Sequence, residues 1–252
     1  MVSLVSCGLD EHVHLQQIPE ALVIIEPGGS GVSVTRLDFL AASGHARHYT
    51  IFYRIYISGH EVSGTIQPAD SVLTSINPTL LSDFRAIFPF ADPINTDINT
   101  TGIGNLFATR GYFELHISLT GDVYDARHIG TLLNIDFPDG ISINFPPIGD
   151  APFLEADGVQ YTLIRSNDGG LFSPQPGNRL FLNHEDLNDN TNAMPESPER
   201  NRDTIQDTRI QPGDLRFTYV SMYILTIGFC TTTFSSIYSK PTHLGIFMLP
   251  LP

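Results

Sequence analysis

Tyr49-Thr50-Ile51-Phe52-Tyr53-Arg54-Ile55-Tyr56-Ile57-Ser58 is the most strand-like stretch of this chain, built almost wholly from aromatic and β-branched residues. Side chains alternate across a strand, so Tyr49, Ile51, Tyr53, Ile55 and Ile57 share one face, and Phe52 and Tyr56 share the other with Thr50, Arg54 and Ser58. Apolar residues on both faces predict burial on both sides. That is the signature of a central strand in an antiparallel sandwich rather than an edge strand with one wet face.

Outward from this strand, the chain reads as short apolar runs broken by turns. Ala21 to Glu26 is expected as a first strand, Pro27-Gly28-Gly29-Ser30-Gly31 as a turn, and Val32 to Leu40 as a second strand. The glycines are followed by Val32-Ser33-Val34-Thr35, without Lys and without a helix start, so they lack the loop-to-helix context of a phosphate-binding loop. One helix is predicted, near 78–88: Asn77 caps it, Pro78 suits its first turn, and Leu80, Leu81, Phe84, Ile87 and Phe88 form one stripe before Pro89 ends it. Tyr112 to Thr120 returns to alternation, with Phe113, Leu115, Ile117 and Leu119 inward and Glu114, His116 and Ser118 outward. The outward trio has the composition of a catalytic set, but residues two apart on a strand stand about 7 Å apart along it, so a solvated face is the expected reading.

Composition fits this pattern. The 252 residues (27.7 kDa) are 41% hydrophobic and 16% charged, which allows one large core or two modest ones, and Gly 21 and Pro 18 favour many short strands. The net charge of −14 repels a phosphate backbone, and the 13 Lys and Arg are scattered, so nucleic acid is not an expected partner. Arg200, Arg202 and Arg209 are diluted by Glu199, Asp203 and Asp207, which predicts a solvated mixed-charge segment. It falls within 183–214, expected as a long mobile loop because few of its residues can be buried.

Near the N-terminus, Leu4-Val5-Ser6-Cys7-Gly8 resembles the lipobox of bacterial lipoproteins. The resemblance implies a diacylglyceryl thioether on Cys7, cleavage between Ser6 and Cys7, and acylation of the freed amine, which would hold the chain to a membrane through its acyl chains. A basic region and a full apolar region are missing from the six residues before Cys7, so a leader of ordinary length is expected to begin upstream. The competing reading is an unmodified Cys in a frayed tail. Residues 1–20 are expected as lipobox and tether. His12 and His14 flank Val13 beside Glu11 but lack the further ligands a metal site requires, so no metal is expected. Tyr219 to Cys230, 12 residues, is too short to span a bilayer as a helix and reads as a strand. Cys230 at its end is expected as a buried free thiol rather than a nucleophile.

Val32-Ser33-Val34-Thr35-Arg36-Leu37 and Tyr53-Arg54-Ile55-Tyr56-Ile57-Ser58 are similar to the second and third strands of fibronectin type III domains. At the other end, Ile210-Gln211-Pro212-Gly213, Tyr219 to Ile227 and Tyr238 to Phe247 resemble the turn, sixth strand and final strand of that family. The family's core tryptophan has no counterpart, since the chain contains no Trp. The resemblance implies a mainly β, immunoglobulin/fibronectin III-like sandwich formed by residues 21–62 and 210–250, with 63–209 as a long inserted β-rich region containing the one short helix. The alternative is two consecutive β-domains split near Pro138 to Pro152. The chain as a whole is also similar to uncharacterised spirochaetal lipoproteins.

Motifs of known chemistry are absent: there is no Gly-x-Ser-x-Gly, no His-Glu-x-x-His and no paired Cys with zinc spacing. Asp186-Leu187-Asn188-Asp189-Asn190 opens like a calcium loop, but Thr191 stands where the turn needs Gly and Ser197 where a bidentate Glu is required. The expectation is a lipid-anchored, extracytoplasmic cell-envelope protein with a non-enzymatic binding or structural role, no cofactor, and a protein or glycan ligand. The alternative is a glycan-binding module or glycan hydrolase using carboxylates such as Asp122, Asp125 or Glu155, which would have to stand roughly 5–10 Å apart in a cleft.

Overall fold

The structure is a computed structural model that describes residues 15–25, 31–35, 46–59, 111–119, 126–128, 139–146, 152–156, 158–165, 182, 203–207, 210, 211 and 213–249. A short 3-10 turn at Glu20–Leu22 is followed by β1 (Val23–Ile25), β2 (Gly31–Val34) and β3 (Ala46–Ser58). Then come β4 (Phe113–Glu114), β5 (His116–Leu119), β6 (Ala126–His128), β7 (Ile141–Asn144), β8 (Phe153–Ala156) and β9 (Val159–Ile164). β10 (Thr204–Gln206), β11 (Phe217–Cys230), β12 (Ser235–Tyr238) and β13 (Thr242–Met248) complete the series. The protein is mainly β, as its composition predicts.

These strands form two sheets. One runs β1-β2-β7-β8-β9-β5-β6; the other is centred on β3 and β11, the two longest strands. β3 and β11 pair antiparallel from Phe217 opposite Ser58 to Gly228 opposite Ala46. On the far edge of β11, β13 and β12 lie end to end; on the far edge of β3, β4 pairs antiparallel and β10 parallel. The strand read from the sequence as central is therefore flanked on both edges, and the two ends of the chain share a sheet.

Burial explains why both sequence faces of β3 are apolar. Tyr49, Ile51, Tyr53, Ile55 and Ile57 join Val220, Met222 and Ile224 of β11 in the main core, against Val32, Ile141, Ile143, Leu154 and Leu163 of the other sheet. Each such aliphatic side chain contributes ~1.5–3 kcal/mol by leaving water. Phe145 and Phe247 stack between the sheets with ring centroids 5.2 Å apart. The opposite face of β3 and β11 carries a second, smaller cluster of Phe52, Tyr112, Tyr223 and Leu225.

Three expectations change. Residues 15–20, expected as tether, belong to the folded body: Leu15 and Ile18 are buried in the main core, Gln17 donates to the Pro241 carbonyl, and the Thr242 hydroxyl donates to the Ile18 carbonyl. Two apolar residues three apart give this irregular segment enough to bury. Within 183–214, expected as a loop, β10 is a parallel strand on β3, and Asp203 and Asp207 are buried rather than solvated. Against a division into two consecutive domains near Pro138 to Pro152, β4 extends the β3 sheet and β7 pairs with both β2 and β8, so the described strands on either side of that division belong to sheets shared with β1, β2 and β3. The helix expected near 78–88 lies outside the described residues.

Chain paths are set locally by close approach. A Cβ at Gly31 would overlap the carbonyl oxygen of Ile143 across the β2–β7 ladder, so a side chain there would push the strands apart. Gly111 has φ +60, and a Cβ would occupy the space of the Arg54 guanidinium.

Candidate functional site

Two groups of described polar side chains are buried against β3. The first lies between the sheets. Asp203 precedes β10 and is fixed by its own carbonyl, which accepts from the Ile55 amide. Its carboxylate accepts from Arg165 Nε at 2.8 Å, Arg165 NH2 at 2.6 Å, Tyr53 Oη at 2.7 Å and Thr204 Oγ1 at 3.0 Å. Arg165 NH2 also donates to Thr204 Oγ1 at 3.0 Å. Arg165 follows β9 in one sheet, and Tyr53 belongs to the other, so the bidentate pair joins the two sheets inside the core. With both residues almost fully buried, the charges are paired and the carboxylate's acceptor sites are filled.

The second group lies on the opposite face of β3 and β11. Register places Ser221 opposite Arg54, and Tyr223 opposite both Phe52 and His243. Tyr112 Oη donates to Ser221 Oγ at 3.1 Å, and Ser221 Oγ lies 3.1 Å from His243 Nε2. The His243 ring stacks on Tyr223 at 4.5 Å, and Tyr112 meets Tyr223 edge-on at 5.3 Å. Burial of the imidazole pushes its pKa from the usual 6.5 down to about 4, so it is neutral near pH 7. The direction of the Ser221–His243 hydrogen bond follows the imidazole tautomer, since a serine oxygen can accept from Tyr112 and still either donate to Nε2 or accept from it. Burial, reinforced by the neighbouring Tyr112, pushes the Tyr56 phenol well above its ordinary range. Burial also lowers the pKa of Arg54, against the opposing influence of Tyr56, Tyr112 and Asp203.

A serine hydroxyl beside a neutral imidazole has the composition of a nucleophile and base pair. Here the imidazole is held by the face of Tyr223, and Ser221 is only 3% exposed, so a substrate carbonyl has no approach to Oγ in this arrangement. What the network does is fasten β13 and residues 111 and 112 to β11. The sequence singled out neither group, because its members are separated by up to 150 positions, as for Tyr53 and Asp203.

The residues weighed from the sequence fall elsewhere. Glu114 accepts from Thr50 Oγ1 at 2.6 Å on the β3 sheet, whereas His116 and Ser118 belong to β5 in the other sheet, so the alternating trio does not form one site. Glu155, on β8, faces Gln160 of the adjacent strand at 3.5 Å. Cys230 is a buried free thiol at the β11–β12 turn, where hydrogen bonds from the Thr233 hydroxyl and the main chain of Thr233 and Thr232 draw its pKa below the ordinary value. Cys7, His12, His14, Asp122, Asp125 and Asp186 to Asn190 lie outside the described residues. Among the described residues there is no helix long and apolar enough to cross a membrane.

Comparison with protein-family models, with curated proteins and with solved structures finds no match for this chain.

Proposed function

We propose that this protein is a lipid-anchored component of the cell envelope, exposed on the extracytoplasmic side, whose β-sandwich serves a non-enzymatic binding or structural role. The observation that carries this reading is Leu4-Val5-Ser6-Cys7-Gly8 a short distance ahead of a sheet-built body. Leu15 and Ile18 are already in the core, so the segment from Gly8 to His14 is all that would separate an acylated Cys7 from the fold. Fully extended, it reaches about 25 Å, which would keep the body close to the bilayer.

A fibronectin III-like arrangement is supported by strand order. The third strand pairs with the penultimate long strand, which pairs with the final one (β3-β11-β13), while the first two strands lead the opposite sheet followed by β7. In such a sandwich, ligands are met by loops and edges, and a protein or glycan partner is the class that fits.

Intact mass of the protein recovered from its native membrane tests the anchor. The expected mass is that of a chain beginning at Cys7 plus a diacylglyceryl group and an acyl chain, with the protein entering the detergent phase on partition. A free sulfhydryl at Cys7, with the chain retained in the aqueous phase, overturns the reading.

A further inference from the structure

Phe234, at the turn of the β11–β12 hairpin, is 81% exposed. It also adopts φ 52, a left-handed backbone that Gly, Asn or Asp takes readily and a bulky side chain rarely does. A ring so exposed adds little to the core, so nothing in the described packing calls for an aromatic residue here. Its surroundings differ from those of the other exposed large hydrophobics among the described residues. Leu215 stands between Asp214 and Arg216, Ile24 two positions before Glu26, and Val159 two positions after Asp157. Around Phe234, by contrast, no charged residue occurs from Phe217 to Ser239, although the chain carries −14, and Thr231, Thr232, Thr233, Ser235 and Ser236 are exposed. The described charges that flank the hairpin are cationic: Arg47, exposed at the start of β3 beside Ile227 and Gly228, and Lys240, exposed just after β12. An aromatic ring, then hydroxyls, then cations is the order of groups that suits the passage from acyl chains to headgroup phosphates.

We infer that this hairpin tip docks on a lipid bilayer, with Phe234 entering the boundary between acyl chains and headgroups and Arg47 and Lys240 facing lipid phosphates. The inference rests on the proposed anchor, and the position of the N-terminal segment supports the bilayer as occupant. Gln17 and Ile18 are bonded to Pro241 and Thr242, and Thr242 lies opposite Ile224 of β11. From Ile224 to Cys230, where β11 ends, the strand covers about 20 Å. The residues between Cys7 and Leu15, fully extended, cover about 25 Å. A bilayer that holds acyl chains on Cys7 therefore lies within reach of the tip. The other end of β11, beside the charge-flanked Leu215, is about 45 Å from the tip and faces water. One ring binds weakly by itself, so the tip orients a body already held at the membrane rather than recruiting it from solution.

The test uses a single indole. The chain contains no Trp, so Phe234→Trp makes position 234 the sole site of tryptophan emission, and Cys230→Ser leaves Cys7 as the only thiol. Through Cys7 the full chain is coupled to maleimide-bearing lipid in phosphatidylcholine vesicles. This engineered thioether replaces acylation, so failure here strikes the hairpin, and failure of the mass test strikes the anchor. The expected result is a blue shift of the emission relative to the same protein without vesicles, together with quenching by phosphatidylcholine spin-labelled near the top of its acyl chains. Leu215→Trp in place of Phe234→Trp should show neither effect, and adding Thr233→Asp to Phe234→Trp should abolish both. Far-ultraviolet circular dichroism and a cooperative unfolding transition establish that each variant is folded. Emission from position 234 that is unchanged on the vesicles, or quenching equal at positions 215 and 234, overturns the inference. A blue shift that appears without lipid and grows with protein concentration assigns the tip to a second copy of the chain and overturns it as well.

Discussion

Replacing Arg165 by Met strips two of the four hydrogen bonds from the Asp203 carboxylate while preserving the length of the side chain that bridges the sheets. The group left behind is nearly inaccessible to water and keeps only Tyr53 and Thr204 as donors. Breaking one half of a buried ion pair costs ~3–5 kcal/mol, because the surviving charge must be held without its partner. The two remaining donors place the expected loss at the lower end, about 3 kcal/mol. For a chain of this size that lowers the melting temperature by about 6–12 °C. Asp203→Leu should cost a similar amount by orphaning the guanidinium.

The double variant separates a pair effect from two unrelated losses. Well-packed apolar replacements of buried ion pairs are often neutral or better, so Arg165→Met with Asp203→Leu should recover most of the loss and fall within about 1–2 kcal/mol of the parent. Urea unfolding followed by tyrosine fluorescence and circular dichroism provides the measurement, with midpoints compared at constant m. Single losses below about 1 kcal/mol, or a double variant equal to the sum of the singles, would refute the role assigned to this pair.

The other predictions concern the second polar group and the ladders. His243 is held neutral to about pH 4, whereas in the unfolded chain it takes up a proton near 6.5. The unfolded state therefore binds the extra proton between those limits, and stability should fall as pH is lowered through that window, by up to about 3 kcal/mol and nearer 2 because the residue keeps some exposure. Urea midpoints at pH 7 and pH 4.5 should differ less in His243→Gln than in the parent; equal differences would remove the histidine from the account. Gly31→Ala sets a methyl against the Ile143 carbonyl and should destabilise by about 2 kcal/mol, read from the same midpoint. Tyr53→Phe removes one donor from Asp203 but leaves the ion pair, so it should cost about 1.5–3 kcal/mol, no more than the loss of Arg165.

The legibility of this chain follows the range of the interactions. Strand character is local, so β3, β11 and the burial of both β3 faces could be read from the residues themselves, whereas the one final strand expected over Tyr238 to Phe247 is split into β12 and β13. Pairing of β3 with β11 followed only from the resemblance to fibronectin type III strands, because the two strands lie far apart in the chain and no local pattern connects them. Asp203 and Asp207 were misread because, in sequence, a carboxylate among arginines is indistinguishable from a solvated one. What buries Asp203 is Arg165 and Tyr53, distant positions brought together by the two sheets. The same holds for Tyr112, Ser221 and His243, which no spacing rule connects. Residues 15–20 looked like a tether because they lack periodicity. Two buried side chains and two hydrogen bonds near Pro241 hold them without any.

These placements bear on how the protein would present itself. β3 is gripped on both faces and both edges: by the main core, by the aromatic cluster around Tyr223, by β11, and by β4 and β10. Its polar side chains are consumed in that grip, Tyr53 by Asp203 and Thr50 by Glu114. The strand that organises the fold is therefore committed to holding the two sheets together. The β11–β12 hairpin differs from it, since Phe217 to Ser239 carries no charged residue and Phe234 at the turn is 81% exposed.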